Sequence, residues 1–211
     1  MPENGFKRPV RDRGANPLAE SPELFAAALN EFSAKAYDEA SQNDIIKASG
    51  MSKGSFYYRF ADKQDLYLCL IDKIAKDKLY YFSQKHALTD FPEGFFDQLR
   101  VLALSGLEYA GKEPRYYAFW RRFLNESGAI RQAVKEAFPD AGRDGLSGLI
   151  QAAARQNQFR KEFSLEFIQN IMNLLFNNFD MLLKAGAGEE ELMKTLDELI
   201  GMLSHGLKAD K

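Results

Sequence analysis

The chain has 211 residues, of which 45% are hydrophobic and 27% are charged, and its formal net charge is −2. These proportions exclude an intrinsically disordered or fibrous chain, and an acidic protein that binds nucleic acid must concentrate its positive charge on one surface. A single cysteine, Cys69, excludes an internal disulfide framework and a cysteine-rich zinc site, and it fits a reducing compartment.

Residues 1–20 contain three prolines, two glycines and no apolar periodicity, which predicts a flexible arm. Between residues 7 and 13 the arm is basic, with four cations against one anion: Lys7, Arg8, Arg11 and Arg13 against Asp12. Such an arm either enters an adjacent minor groove or is a solvated tail. Ordered structure is expected to begin at Ser21, a capping serine followed by Pro22 at the first helical position.

From there to the end, apolar residues recur at helical spacing, and no segment alternates as a strand would. The clearest stripe lies near the C-terminus, at Leu192, Leu196, Leu199 and Leu203. Clusters of glycine and proline interrupt the pattern at residues 90–94, 111–114, 139–145 and 186–188. The sequence therefore predicts an all-α fold of about nine helices.

The segment from Ser41 to Phe60 has the pattern of a helix-turn-helix. A short helix over residues 42–48 is expected to end at Gly50, because glycine readily adopts the left-handed conformation that terminates helices. Ser52 then caps a second short helix. This second helix is the candidate for insertion into DNA.

The second helix of this motif has an inward and an outward face. Phe56 and Phe60 lie four residues apart and are expected to pack on Ile45 and Ile46. The outward face carries one cation, small residues and two phenols: Lys53, Gly54, Ser55, Tyr57 and Tyr58. In a major groove lysine binds guanine, serine binds base edges or phosphates, glycine permits close approach and tyrosine hydroxyls bind phosphates. The alternative is that the three consecutive aromatic residues form an ordinary core stripe.

Positive charge is concentrated around this segment, as binding to nucleic acid requires. Between residues 47 and 63 four cations accompany one anion: Lys47, Lys53, Arg59 and Lys63 against Asp62. Together with the basic arm, this local excess forms a positive footprint in a chain that is acidic as a whole.

These residues give the sequence a resemblance to the TetR family of regulators. Residues 50–66 are Gly-Met-Ser-Lys-Gly-Ser-Phe-Tyr-Tyr-Arg-Phe-Ala-Asp-Lys-Gln-Asp-Leu, and the family signature is Gly-hydrophobic-Ser-x-Gly-Thr/Ser-hydrophobic-Tyr-x-His-Phe-x-x-Lys-x-x-Leu. The motif resemblance covers residues 21 to 70, and beyond them it rests on helix count and chain length. It implies a three-helix DNA-binding domain over residues 21–66 and a larger helical effector-sensing and dimerisation domain over residues 67–211.

The resemblance also implies which residues contact DNA. The recognition helix would contact DNA from its cap, Ser52, onwards, and it would read bases through Lys53, Gly54, Ser55 and Tyr57. Phosphates would be bound by Ser41, Gln42, Tyr58, Arg59 and Lys63. Arg59 departs from the signature, which has histidine at this position. Arginine keeps a phosphate contact and makes it independent of pH.

Large aromatic residues are frequent after residue 91, where they either line a cavity between helices or fill the core. Four of them combine bulk with helical placement in the middle of this region and are the candidate effector-binding residues: Tyr109, Tyr116, Trp120 and Phe167. Three nearby arginines would favour an anionic effector or form an exposed basic helix face: Arg115, Arg121 and Arg122.

The last two helices, predicted over residues 164–185 and 189–207, carry continuous apolar stripes. Two such helices from each of two chains would bury their stripes in a four-helix bundle. The family resemblance implies dimerisation in the same way. The alternative is that both stripes pack within a single chain.

The sequence offers no enzyme, metal or cofactor site. Its two histidines, His86 and His205, have no metal-binding spacing, and no phosphate loop or nucleophile elbow stands out. Polar residues interrupt the most apolar stretch, residues 167–183, so a membrane span is not expected. With no secretory signal evident, we expect a cytoplasmic protein in which Cys69 is a buried structural thiol.

Together these patterns predict a homodimeric repressor that binds a pseudo-palindromic operator and is released by a small-molecule effector. Three alternatives stay open: a helical small-molecule-binding protein or enzyme with a vestigial helix-turn-helix, an activator, and a regulator controlled by a protein partner. The sequence identifies neither the effector nor the operator.

Overall fold

The computed structural model describes residues 15–86, 92–126, 128–138, 146–183 and 188–209. Within these residues the chain forms ten α-helices and two short 3-10 helices, and the only strand-like pairing is an isolated bridge between Phe159 and Lys208. The all-α prediction is confirmed, with ten helices where about nine were expected. The cations predicted in the arm lie outside the described residues.

The helices are numbered in chain order. The first four are α1 (Pro22–Ala34), α2 (Gln42–Ala48), α3 (Lys53–Arg59) and α4 (Lys63–His86). They are followed by α5 (Phe95–Lys112), α6 (Pro114–Leu124), α7 (Gly128–Ala137), α8 (Leu146–Arg155), α9 (Leu165–Asn177) and α10 (Glu189–Leu207). In the part of the chain that the structure describes, no helix is long and apolar enough to cross a membrane.

Local sequence explains how the helix-turn-helix is delimited. The Ser41 hydroxyl accepts a hydrogen bond from the Asp44 backbone N–H at 3.2 Å, and Ser52 accepts from the Ser55 N–H at 3.1 Å, so each serine caps its helix. Gly50 has a φ of +68°, which confirms the predicted glycine turn. A β-carbon at Gly50 would meet nothing within 4 Å, so the backbone conformation and not space favours glycine there.

The described residues divide into two compact units. The first contains those of residues 1–88 and 108–139, and the second those of residues 89–107 and 140–211. In the first unit the N-terminal helices share one core with α6 and α7; its buried members include Phe32, Phe56, Tyr67, Phe119 and Ile130. Because α6 and α7 complete the core of the N-terminal helices, this division does not follow the functional boundary expected at residue 66.

The second unit encloses its own core between helices α5, α8, α9 and α10. Its buried members include Phe95, Ile150, Met172 and Leu199. The bounds of α10 agree with the prediction, whereas α9 ends at Asn177 and not near residue 185. The Asn178 amide donates to the Leu174 carbonyl at 2.7 Å, so a side chain takes a carbonyl that the next helical turn would need. A 3-10 helix, Phe179–Leu182, follows.

Ordered structure begins before Ser21, which is earlier than predicted. Pro17–Glu20 form a 3-10 helix in which Leu18 is buried. The Asn16 side chain caps this helix and also donates to the Asp72 carboxylate on α4 at 2.8 Å. One buried leucine in a polar segment gives no periodic signal, which is why composition indicated an arm up to residue 20.

Cys69 is buried, as predicted. We expect a thiol reagent such as DTNB to modify the native protein at least about a hundredfold more slowly than the urea-unfolded protein, because it reaches the sulfur only through local opening. The absorbance of the released thionitrobenzoate measures both rates. Similar rates in the two states would show that the thiol is accessible in the folded protein.

Candidate nucleic-acid interface

The candidate interface is built on the helix-turn-helix formed by α2 and α3. The rings of Phe56 and Phe60 lie 5.2 Å apart between centroids, and both are buried in the same cluster as Ile45 and Ile46. The predicted inward face of α3 is therefore confirmed. It anchors the helix so that the opposite face lies in solvent.

The outward face of α3 carries the residues that were predicted to read bases. All four of these residues are exposed: Lys53, Gly54, Ser55 and Tyr57. Tyr57 and Tyr58 expose 55% and 64% of their surface, which excludes the core stripe considered as the alternative. Exposed large aromatic residues contribute little to a fold, and their side-by-side placement on one short helix favours a binding surface.

The start of α3 combines two serines with a glycine. The Ser52 hydroxyl donates to the Ser55 Oγ at 2.9 Å, so both hydroxyls help to define this end of the helix. At Gly54 a β-carbon would meet only the Ser52 Oγ, at 3.9 Å. The fold itself does not require glycine at this position, which fits the prediction that Gly54 lets a DNA backbone approach closely.

Two predicted phosphate ligands, Ser41 and Gln42, lie at the start of α2 with half-buried side chains. The Ser41 backbone N–H donates to the Glu31 Oε1 at 2.8 Å, and its hydroxyl caps α2. Ser41 thus has a role in the fold already. Phosphate binding by these two residues stays a prediction.

Two other predicted phosphate ligands, Arg59 and Lys63, are directed towards protein groups. The Arg59 Nη1 donates to the Ser21 Oγ at 3.0 Å. The Lys63 ammonium donates at 2.7, 3.3 and 3.0 Å to three carbonyl oxygens of the α1–α2 turn: those of Tyr37, Asp38 and Ala40. An ammonium has three protons to donate, and these three carbonyl oxygens match that number. The structure therefore gives no support to a phosphate contact by Lys63. The sequence carried no signal for these long-range partners.

The four candidate effector residues do not form one cluster within either unit. Tyr109 and Tyr116 belong to the first unit, where their rings stack with centroids 5.3 Å apart. Burial raises the pKa of both tyrosine hydroxyls. Trp120 is exposed on α6, and Phe167 is exposed in the second unit. The first two are therefore brought together by the structure and the other two are not.

Two surface depressions, of about 160 and 280 Å³, lie in the second unit. The smaller is lined in part by Phe159, Phe163 and Ile168, and the larger by Leu174, Met181 and Leu182. None of the four candidate residues lines either depression. Their role in effector binding stays a prediction.

Comparison with known proteins agrees with this geometry. Residues 24–70 match the family model described as bacterial regulatory proteins, tetR family, and this range contains the whole helix-turn-helix. The protein described as the probable acrEF/envCD operon repressor of Escherichia coli (strain K12) is 28% identical over 172 residues, which cover 77% of this chain and 75% of that protein. Residues 24–70 therefore carry a TetR-family DNA-binding domain, and the chain resembles TetR-family transcriptional regulators over most of its length.

Solved structures show the TetR-family fold over most of the chain. A TetR family transcriptional regulator from Chloroflexus aurantiacus matches with a TM-score of 0.68 at 21% identity, covering 92% of this chain and 95% of its own. The regulator FadR from Bacillus subtilis, solved in complex with stearoyl-CoA, matches with a TM-score of 0.67 at 11% identity, covering 88% and 98%. The prediction of a regulator and not an enzyme agrees with these relatives.

Within the TetR-family motif, Arg59 stands where histidine is usual. Its half-buried guanidinium joins the C-terminal end of the recognition helix α3 to Ser21 at the start of α1. A positive charge is also favourable near the C-terminal end of a helix, where the helix dipole is negative. The departure from the signature therefore has a local structural role, and an added phosphate contact stays a prediction.

Proposed function

We propose that this chain is a TetR-family repressor that binds a pseudo-palindromic operator as a homodimer and leaves it when a small-molecule effector binds. In this proposal residues 21–66 bind DNA, and residues 67–211 sense the effector and dimerise. The observation that carries the DNA-binding part is the exposure of Lys53, Ser55 and Tyr57 on a helix whose other face is buried. The E. coli relative, whose name describes an operon repressor, supports repression.

Dimerisation is proposed through the last two helices. In the second unit these helices and the 3-10 helix between them expose large apolar side chains, among them Leu174, Met181 and Met202. Exposed apolar side chains of this size are unfavourable in water when they are grouped. A second copy of the chain would cover them in a four-helix bundle.

Effector control is proposed by analogy with FadR, whose structure contains stearoyl-CoA. An effector would favour a conformation in which the two recognition helices no longer match half-sites about 34–36 Å apart. By linkage, DNA would weaken effector binding by the same factor. A repressor of this kind works where the chromosome is, which supports the cytoplasmic location expected from the sequence.

Selection of host genomic fragments by the purified protein tests this function. We expect the recovered fragments to share a palindrome whose half-sites are separated by one helical turn or a multiple of it. Genes beside these fragments would identify the regulated operon. Failure to enrich any palindrome would contradict the proposal.

Lys53→Ala is expected to relax the base preference of the protein. If Lys53 binds a guanine edge, discrimination against a substitution at that base should fall about tenfold. Fluorescence anisotropy at one fixed salt concentration measures affinity for the operator and for its single-base variants. Tyr58→Phe is the control, because loss of a phosphate contact weakens binding to every sequence alike. Unchanged discrimination in the Lys53 variant would remove Lys53 from the base readers.

A further inference from the structure

The turn between α1 and α2, residues 35–41, is held by charged side chains from three directions. Backbone groups in such a turn lack helix partners and need others. Glu31 from α1 accepts from the Ser41 N–H at 2.8 Å, and Lys63 at the start of α4 binds three carbonyl oxygens. Glu126, two residues beyond the end of α6, accepts from the Tyr37 N–H at 2.7 Å.

Tyr37 binds side chains from the start of α4 and from the segment after α6. Its N–H donates to Glu126 and its carbonyl accepts from Lys63, both at 2.7 Å. The Lys63 ammonium also lies 4.6 Å from the centroid of the Tyr37 ring, a cation–π contact. Hydrogen bonds with a charged partner are stronger than those between neutral groups. The N–H and the carbonyl of this one turn residue are therefore bound by charged side chains from two parts of the chain, the segment after α6 and the start of α4.

The turn determines where the helix-turn-helix begins. Ser41, the last residue of the turn, is the N-cap of α2. Helix α2 in turn shares a buried core with α3 through Ile45, Ile46 and Phe56. A displacement of the turn is therefore expected to move α2 and the recognition helix together.

Helix α6 follows α1 up to this turn. The Arg115 Nη1 donates to the Asn30 Oδ1 at 2.9 Å, and the Arg122 Nη2 donates at 2.6 Å to the carbonyl of Ala34, the last residue of α1. Glu126 extends this series of contacts from α1 into the turn. A shift of α6 thus acts on α1 and on the turn through separate side chains.

We propose that Glu126 is a positioning residue for DNA binding, which fixes the orientation of the helix-turn-helix through its hydrogen bond to Tyr37. The inference rests on the proposed DNA-binding function. In a dimer the orientation of each helix-turn-helix sets the half-site spacing that the protein accepts. Glu126 therefore contributes to the preferred half-site spacing without touching DNA. A movement of α6 would change that spacing through the hydrogen bond between Glu126 and the Tyr37 N–H.

The test compares Glu126→Ala with Glu126→Gln in the full-length chain. Both variants remove the same charge, but only glutamine keeps an oxygen that can accept from the Tyr37 N–H. The first measurement is amide hydrogen exchange at Tyr37 without DNA. Exchange should be about tenfold faster than in the wild type for the alanine variant and within about threefold for the glutamine variant.

The second measurement uses the operator selected by the wild type and two versions with the half-site spacing changed by one base pair. The wild type should bind the selected spacing more tightly than the altered ones. The ratio of these affinities should be about fivefold smaller in the alanine variant, and the glutamine variant should keep the wild-type ratio. Glu126→Asp keeps the charge on a side chain that is one methylene shorter. It replaces the alanine variant in both measurements if the alanine variant does not fold. Circular dichroism melting establishes that each variant is folded.

The outcomes separate this inference from the proposed function. If the wild type selects no operator, the proposed function fails, and the exchange rate at Tyr37 still decides whether the bond exists. If the wild type binds an operator and the alanine variant keeps its full spacing preference, the inference is wrong. Equal losses in the alanine and glutamine variants would attribute the effect to charge and would overturn it as well.

Discussion

Replacement of Phe56 by alanine is expected to lower the free energy of unfolding of the first unit by about 3–5 kcal/mol. Phe56 is fully buried, and its ring lies 5.2 Å from that of Phe60 between centroids. Truncation removes apolar contacts and leaves a cavity, which α3 cannot close because Ser52 caps one end and Phe60 anchors the other. Trp120, the only tryptophan of the chain, lies in the same unit and reports its urea unfolding by fluorescence.

Tyr58→Ala is the matched control for this substitution. Tyr58 is also an aromatic residue of α3, but 64% of its surface is exposed. Its truncation is expected to change the free energy of unfolding by no more than about 1 kcal/mol while weakening DNA binding. If Phe56→Ala were no more destabilising than Tyr58→Ala, the assignment of the two faces of α3 would be wrong.

The two faces of α3 could be predicted from the sequence because the helical period decides which residues share a face. Gly50 and Ser52 could also be predicted, since the turn and the cap depend on the conformational properties of those residue types themselves. These local rules cover the positions on α3 that are proposed to contact DNA.

The partners of Lys63 and Glu126 could not be predicted in the same way. Both side chains bind Tyr37, from which they are separated by 26 and 89 residues along the chain. Such pairs arise from the packing of α4 and α6 against the N-terminal helices, and no local period records them. The motif indicated that a lysine belongs at position 63, but only the structure shows which oxygens it binds.

The effector residues show a different limit of sequence reasoning. Aromatic bulk on a helix is equally compatible with a packed core and with a cavity wall. The rings of Tyr109 and Tyr116 stack on each other, a contact that is compatible with either role. A ligand-bound structure would distinguish the two roles, since residues that line a pocket must separate to admit a ligand.

The double substitution Leu174→Asp and Met181→Asp is expected to convert the proposed dimer into monomers. Leu174 and Met181 expose 60% and 75% of their surface, so in a single chain the new carboxylates would lie in water at little cost. Across the proposed interface the same carboxylates would be buried without partners, which costs several kcal/mol. We expect the dimer dissociation constant, measured by sedimentation velocity, to rise at least about a hundredfold.

Operator affinity should fall as well, by a factor of about 10²–10⁴, because a monomer binds only one half-site at a time. Leu79→Asp makes the same change at a leucine of the first unit with 51% of its surface exposed, and it should leave both the dimer and operator binding intact. The two substituted side chains and the recognition helix belong to different units. If the double variant loses both the dimer and operator affinity and the Leu79 variant keeps both, operator binding depends on dimerisation through α9 and the 3-10 helix after it. If the double variant is still a dimer, the interface lies elsewhere on the chain.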